Sequence, residues 1–146
     1  MYYYSYEEFQ KEIIPFTHKI QKEFNPDVLL AIARGGMTLG HFLAEGLNNR
    51  NLFSLNSIHY NDTQKLDTIK IFNIPDLSAY KKILLVDDII DSGETMIEIK
   101  RILIEQYPHL ELKVATVFYK PSALLIPEFC IKEATEWIKF FWSIEI

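Results

Sequence analysis

The feature that most constrains this chain is the stretch Ile83-Leu84-Leu85-Val86-Asp87-Asp88-Ile89-Ile90-Asp91-Ser92-Gly93-Glu94-Thr95. Its opening apolar run is short enough for a buried strand and too short for a helix. Two adjacent acids follow, then a turn carrying a third acid, a serine, a glycine and a threonine. Beyond it, Met96, Ile99 and Leu103 stand at helical spacing. A strand, a small-residue loop and a helix start make an anion site, because the first helical N–H groups point outward and the dipole favours negative charge. Ser92 and Thr95 add hydroxyl donors, and Gly93 lets the backbone approach closely.

The acids answer a different need. Asp87 and Asp88 lie too near the phosphate loop to be phosphate ligands, but carboxylates accept hydrogen bonds and a ribose offers vicinal hydroxyls as donors. The stretch therefore reads as a cradle for ribose 5-phosphate. A competing reading is a receiver-like domain whose strand-end acids bind Mg²⁺. Receivers carry the acid pair after the first strand, whereas here it lies past the middle of the chain.

A second stretch has the same form. Val28 to Ile32 is a buried strand, Ala33-Arg34-Gly35-Gly36 a glycine loop, and Thr38 to Leu47 a helix. Arg34 is a permanent cation with forked donors that suit phosphate oxygens. Two anion loops at the carboxyl ends of neighbouring parallel strands are what a diphosphorylated ribose requires.

The remaining segments are read as scaffold, loop or base site. Ser5 and Glu8 form a capping box ahead of a helix with Phe9, Ile13, Phe16 and Ile20 on its apolar face; Pro15 is expected to kink or divide it and Asn25-Pro26 to close it. Leu52 to Ile58 reads as a strand. His59 to Asp67 is polar and aperiodic and reads as a loop or flexible hairpin, with Lys65 its candidate ligand for a pyrophosphate. Leu112 to Phe118 is a strand that delivers Tyr119-Lys120-Pro121. Near the end, Trp137 could stack on a base and Lys120 could donate to an exocyclic carbonyl.

The cradle resembles the binding signature of type I phosphoribosyltransferases for 5-phosphoribosyl 1-diphosphate (PRPP), with Ser92-Gly93 in place of the usual Thr-Gly. The arginine-glycine-glycine loop, the cradle, the aromatic-Lys-Pro and the late Thr135-Glu136-Trp137-Ile138 also stand in the order found in bacterial xanthine-guanine phosphoribosyltransferases, from about Asp27 to Trp142. That resemblance implies an open, mainly parallel α/β sheet with helices on both faces and a small C-terminal hood carrying Trp137. It implies transfer of a phosphoribosyl group from PRPP to a 6-oxopurine, with Mg²⁺ as cofactor. Arg34, Gly35, Gly36 and Lys65 would take the pyrophosphate, across an often non-trans peptide at Ala33-Arg34. Asp87 and Asp88 would hold the ribose hydroxyls, with Mg²⁺ reaching them through PRPP. Ser92, Gly93, Glu94 and Thr95 would take the 5′-phosphate. Asp91 would be the general base at purine N7, and Lys120, Trp137 and Ile138 would bind the base. A mobile loop after His59 would close over the site. The alternatives are transfer to another base and a non-catalytic PRPP-sensing module.

Composition bounds these readings. At 146 residues one domain spanning 1–146 is expected. A net charge of −5 offers no basic footprint for nucleic acid. Cys130 stands alone, so no internal disulfide can form. The N-terminus has no secretory pattern and no apolar run reaches membrane length, which makes the cytoplasm the expected compartment. The aromatic Phe140-Phe141-Trp142 tail suggests a buried contact, and a homodimer or higher homo-oligomer is expected.

Overall fold

The computed structural model describes residues 1–60 and 68–146. A six-stranded sheet has the order β4-β3-β2-β5-β6-β7. Its members are β2 (Val28–Ala33), β3 (Leu52–Tyr60), β4 (Thr68–Phe72), β5 (Lys82–Ile90), β6 (Glu111–Tyr119) and β7 (Phe129–Glu133). All neighbours run parallel except β3 and β4, which pair antiparallel. A two-stranded parallel sheet of β1 (Tyr2–Tyr4) and β8 (Ile138–Phe140) forms the hood. The hood is thus built from both ends of the chain, and not from its C-terminal segment alone.

The period-two alternation of β5 sorts its side chains between two cores. Leu84 and Val86 pack with Phe9, Ile13, Leu39 and Leu43, hence with α1 (Tyr6–Glu23), α2 (Met37–Gly46) and the hood. Ile83 and Leu85 pack on the other face with Met96, Ile99 and Leu103 of α3 (Glu94–Gln106). Helices on both faces of a mainly parallel open sheet are the expected architecture.

Several local expectations need correction. Ser5 caps α1 by accepting from the Glu8 amide at 3.1 Å, but the Glu8 carboxylate goes to Tyr2 and Lys132 instead of returning to the cap. Pro15 neither divides nor ends α1, which runs unbroken from Tyr6 to Glu23. Pro15 and Lys11, whose carbonyl loses its partner, both lie on the exposed face, where water satisfies the freed oxygen. The polar segment after Ile58 is partly strand: β3 continues to Tyr60 and pairs with β4. The intervening residues 61–67, with Lys65, lie outside the described residues. β5 continues through Asp87 and Asp88 to Ile90, so the acids sit within the last part of the strand. Phe140 is buried and Phe141 and Trp142 pack on Tyr4 and Phe9 within the chain, which removes the ground on which an oligomer was expected. Cys130 is half-buried on β7, and burial raises its pKa and keeps it a thiol. Among the described residues no helix is long and apolar enough to cross a membrane.

Candidate active site

The two glycine loops meet because β2 and β5 are parallel neighbours, with Leu30 opposite Leu85 and Ala31 opposite Val86. The Ala33–Arg34 peptide is cis, and Arg34 is exposed. A Cβ on Gly35 would fall 2.6 Å from Asp88 Oδ2, and one on Gly36 would fall 2.1 Å from the Val86 carbonyl oxygen. Both positions must therefore be glycine for the arginine loop to lie against the acidic strand. Gly93, with φ of 90°, turns the chain into α3 in a conformation that other residues resist.

Asp87, Asp91, Ser92, Gly93 and Thr95 line one cavity of about 300 Å³. Ile89, Ile90 and Met96 complete its apolar wall, and Ser57 and His59 enter from β3. Sequence reasoning missed these last two. Their signal was the i, i+2 spacing, which puts both on one face at the carboxyl end of a strand. The Glu94 side chain lies outside this cavity, beside Thr68, Ile97 and Leu124, so only its amide faces the loop. That amide donates to the Ser92 hydroxyl at 3.2 Å.

The acids are electrostatically uncomfortable. Burial pushes the Asp87 carboxyl well above the usual range, and the Asp88 charge raises it further. Burial also raises Asp88, opposed by its hydrogen bonds with Asp87 and with the Ile89 amide. Asp87 Oδ1 accepts from the Asp88 amide at 2.9 Å, and Asp88 Oδ1 from the Ile89 amide at 2.7 Å. Among the described residues no cluster of three or more metal-ligating side chains exists. Two hard carboxylates fit a cation that keeps its waters and travels with a diphosphate, not a protein-only metal cage.

Lys120 directly follows β6, and its Nζ pairs with Asp91 Oδ1 at 2.5 Å. The following turn is tied back to the loop, since the Leu124 amide donates to the Ser92 carbonyl at 2.8 Å. Trp137 is 75% exposed on the hood. Ile138 buries its side chain in the hood core, which leaves its main chain as the part able to meet a ligand. The geometry thus brings Asp87, Asp91, Ser92, Gly93 and Thr95 into one cavity, joins Lys120 to it through Asp91, and sets the arginine loop alongside Asp88.

Known proteins resemble the chain in sequence and in fold. The chain is 28% identical over 123 residues to the xanthine-guanine phosphoribosyltransferase of Idiomarina loihiensis, covering 81% of this chain and 71% of that protein. It is 30% identical over 122 residues to that of Cereibacter sphaeroides, covering 81% and 70%. The structure of Helicobacter pylori xanthine-guanine-hypoxanthine phosphoribosyltransferase superposes with a TM-score of 0.90 at 36% identity, over 98% of this chain and 94% of that one. The purine phosphoribosyltransferase of Pyrococcus horikoshii, at 24% identity and a TM-score of 0.84 over 99% and 95%, shares the fold. The family model of the phosphoribosyl transferase domain matches residues 3–146, and with that match the chain belongs to the phosphoribosyltransferase family.

Proposed function

We propose that the chain transfers the 5-phosphoribosyl group of PRPP to guanine, xanthine or hypoxanthine, releasing pyrophosphate, and that residues 1–146 act as one catalytic domain in purine salvage. The observation that carries this reading is the Lys120–Asp91 pair beside the phosphate cavity. A 6-oxopurine presents an acceptor, O6, next to a donor, N7–H. A lysine beside a carboxylate presents the complementary donor and acceptor. The base would thus exchange one ion pair for two charge-assisted hydrogen bonds. The names of the relatives support the same choice of base.

In this reading the 5′-phosphate displaces the Ser92 hydroxyl from the Glu94 amide and gathers the Gly93 and Thr95 donors. Asp87 and Asp88 accept from the ribose hydroxyls. Arg34 and the Gly35-Gly36 amides take the pyrophosphate, with Lys65. Asp87 and Asp88 would hold Mg²⁺ through its waters, and that ion, when bound, neutralises charge on the leaving diphosphate. Rupture of the anomeric bond builds oxocarbenium character, as in glycosyl transfer. Asp91 accepts the N7 proton as general base and Lys120 polarises O6. Trp137 supplies a flat face for the ring. In this reading the protein acts in the cytoplasm and binds no nucleic acid.

The test is PRPP-dependent pyrophosphate release with a panel of bases. The native protein should use 6-oxopurines and disfavour adenine at least about tenfold, because the adenine amino group would face the lysine donor. Lys120→Met should lose much of that preference, while Trp137→Ala should lower activity on every purine by a similar factor. Adenine or a pyrimidine as best substrate overturns the choice of base. Absence of transfer to any base, with PRPP still bound, overturns the enzyme reading in favour of a sensor.

A further inference from the structure

The phosphate cavity has a wall that neither the small-residue loop nor α3 supplies. β2 stops at Ala33, where the chain turns into the arginine loop, whereas β3 on one side of it runs on to Tyr60 and β5 on the other to Ile90. Ala33 stands opposite Asn56, and Ala31 opposite Val86, so by register Asn56 is level with Asp88 and His59 with Asp91. Strands lie about 4.8 Å apart, so beyond the end of β2 the strands on either side face each other across about 10 Å. The cavity is lined from β5 and its loop on one side and by Ser57 and His59 on the other.

Strand alternation explains why these two residues turn inward. Phe53 and Leu55 pack into the core beneath α3, and the period of two carries the same face up through Ser57 to His59. Ser57 is half-buried and His59 is exposed, so the histidine sits nearer the cavity mouth.

The lining is poorly matched in charge to a phosphate monoester. It holds two carboxylates, Asp87 and Asp91, and among its described residues neither lysine nor arginine. Lys120 answers Asp91 from outside that lining. The loop meets the phosphate with neutral amides and hydroxyls alone. His59 is the one described lining residue whose side chain can carry positive charge. Its ring offers one N–H donor when neutral and two when protonated. Hydrogen bonds to an ionised acceptor are about twice as strong as neutral ones, so this donor counts for more against a phosphate than against a sugar hydroxyl.

We propose that His59 is a phosphate-binding residue, its imidazole donating to the 5-phosphate of PRPP from the wall opposite Ser92, Gly93 and Thr95. This rests on the assignment of that loop to the 5-phosphate. The monoester is then held from two strands that are not neighbours in the sheet. Selection of a 5-phosphorylated ribose thereby gains a contact that the loop alone does not give.

The test is calorimetric binding of two probes, ribose 5-phosphate and inorganic pyrophosphate, to the native protein, His59→Phe and His59→Gln. Position 59 is exposed, so both variants should fold. His59→Phe keeps a ring and deletes the donor. It should weaken ribose 5-phosphate about fivefold to tenfold, as expected for one lost hydrogen bond to a charged acceptor. Pyrophosphate should stay within about twofold. His59→Gln keeps a donor and should recover most of the loss. In turnover, the KM for PRPP should rise in His59→Phe while that for guanine stays within about twofold. Unchanged ribose 5-phosphate binding in His59→Phe overturns the proposal. So does a loss confined to pyrophosphate, which would put the histidine on the leaving group. A glutamine variant as weak as the phenylalanine one also overturns it, since the ring and not its donor would then matter. These readouts need no transfer, so a native protein that binds ribose 5-phosphate but uses no base loses the proposed reaction and still tests His59. A native protein that does not bind ribose 5-phosphate overturns the loop assignment and this proposal together.

Discussion

Two pairs of acids, Glu8 with Glu12 and Asp87 with Asp88, are placed in opposite circumstances. Glu8 and Glu12 stand one turn apart on α1, and both pair with Lys132 of β7, which lies 3.3 Å from Glu12 and in closer contact with Glu8. Tyr2 donates to Glu8, and Tyr4 donates to Glu12 at 3.1 Å. The same ammonium sits 5.7 Å from the ring centroids of Tyr2 and Tyr4, so one cation joins the first strand, the first helix and the last large strand. Burial pushes the Glu8 carboxyl up, but its bonds to Lys132 and Tyr2 outweigh that and hold it below the usual range. Asp87 and Asp88 form no ion pair among the described residues, and burial holds both above it, with the Asp88 charge raising Asp87 further. The first pair is complete within the fold. The second is left short of positive charge, as a site that awaits a polyhydroxylated, metal-bearing substrate would be. Stability and function are thus written into different acids of one chain.

The strongest way to break this comparison is Asp87→Asn with Asp88→Asn. Turnover at limiting PRPP should fall about 10²–10³-fold, since amides are weaker acceptors. The folded state should nevertheless gain stability, on the order of 1 kcal/mol, by shedding two buried charges. Thermal melting read beside steady-state kinetics checks both parts, and a double variant that is active or less stable would undo the contrast. Gly35→Ala comes next. Its Cβ would meet the Asp88 carboxylate at 2.6 Å, so the acid must move, and activity should drop about tenfold with the loss concentrated in PRPP handling. On the other side, Lys132→Met should leave PRPP kinetics nearly unchanged and cost about 1–2 kcal/mol. That is below the 3–5 kcal/mol of a fully buried broken pair, because Lys132, Glu8 and Glu12 are each a quarter to a third exposed. Denaturant melts of the variant check it.

What the sequence disclosed follows the reach of each interaction. The cradle, the arginine loop and α1 were legible because their signals are local: an apolar run, acids, glycines, a cap. Pro15 misled because propensity rules assume a helix interior, and this proline faces water. The hood was illegible in detail because β1 and β8 pair residues 2–4 with 138–140, a contact that no window of sequence contains. The same holds for Lys132, whose partners lie at the other end of the chain. Thr68 to Phe72 was missed as a strand because it is a short edge element following an aperiodic segment. The Glu94 carboxylate lies beside Thr68, Ile97 and Leu124, away from the loop, a placement that depends on the start of α3 and on β4 and that no local pattern encodes.

The smallest expected effect is on the pH dependence of stability, and the two acid pairs should pull it in opposite directions. The unfolded chain titrates its aspartates near about 3.9 and its glutamates near about 4.3. Asp87 and Asp88 are raised on folding, so their contribution is fully present below the unfolded value and is lost as pH rises through the folded one. The free protein should therefore become more stable as pH falls from neutrality towards about 4, by less than about 1.4 kcal/mol per pH unit for each proton taken up. Glu8 is lowered, so its contribution is present above the unfolded value and is lost as pH falls through the folded one. The native melting temperature should then peak on the acid side of neutrality and decline below about pH 4. Asp87→Asn with Asp88→Asn should abolish the rise and keep the decline, while Lys132→Met should keep the rise and soften the decline. Melting curves from pH 7 to pH 3 for the three proteins separate the two pairs. A native curve flat between pH 7 and pH 5, or a double variant that still gains stability there, would show that the cradle acids are already matched by charge, and the contrast between the two pairs would be gone.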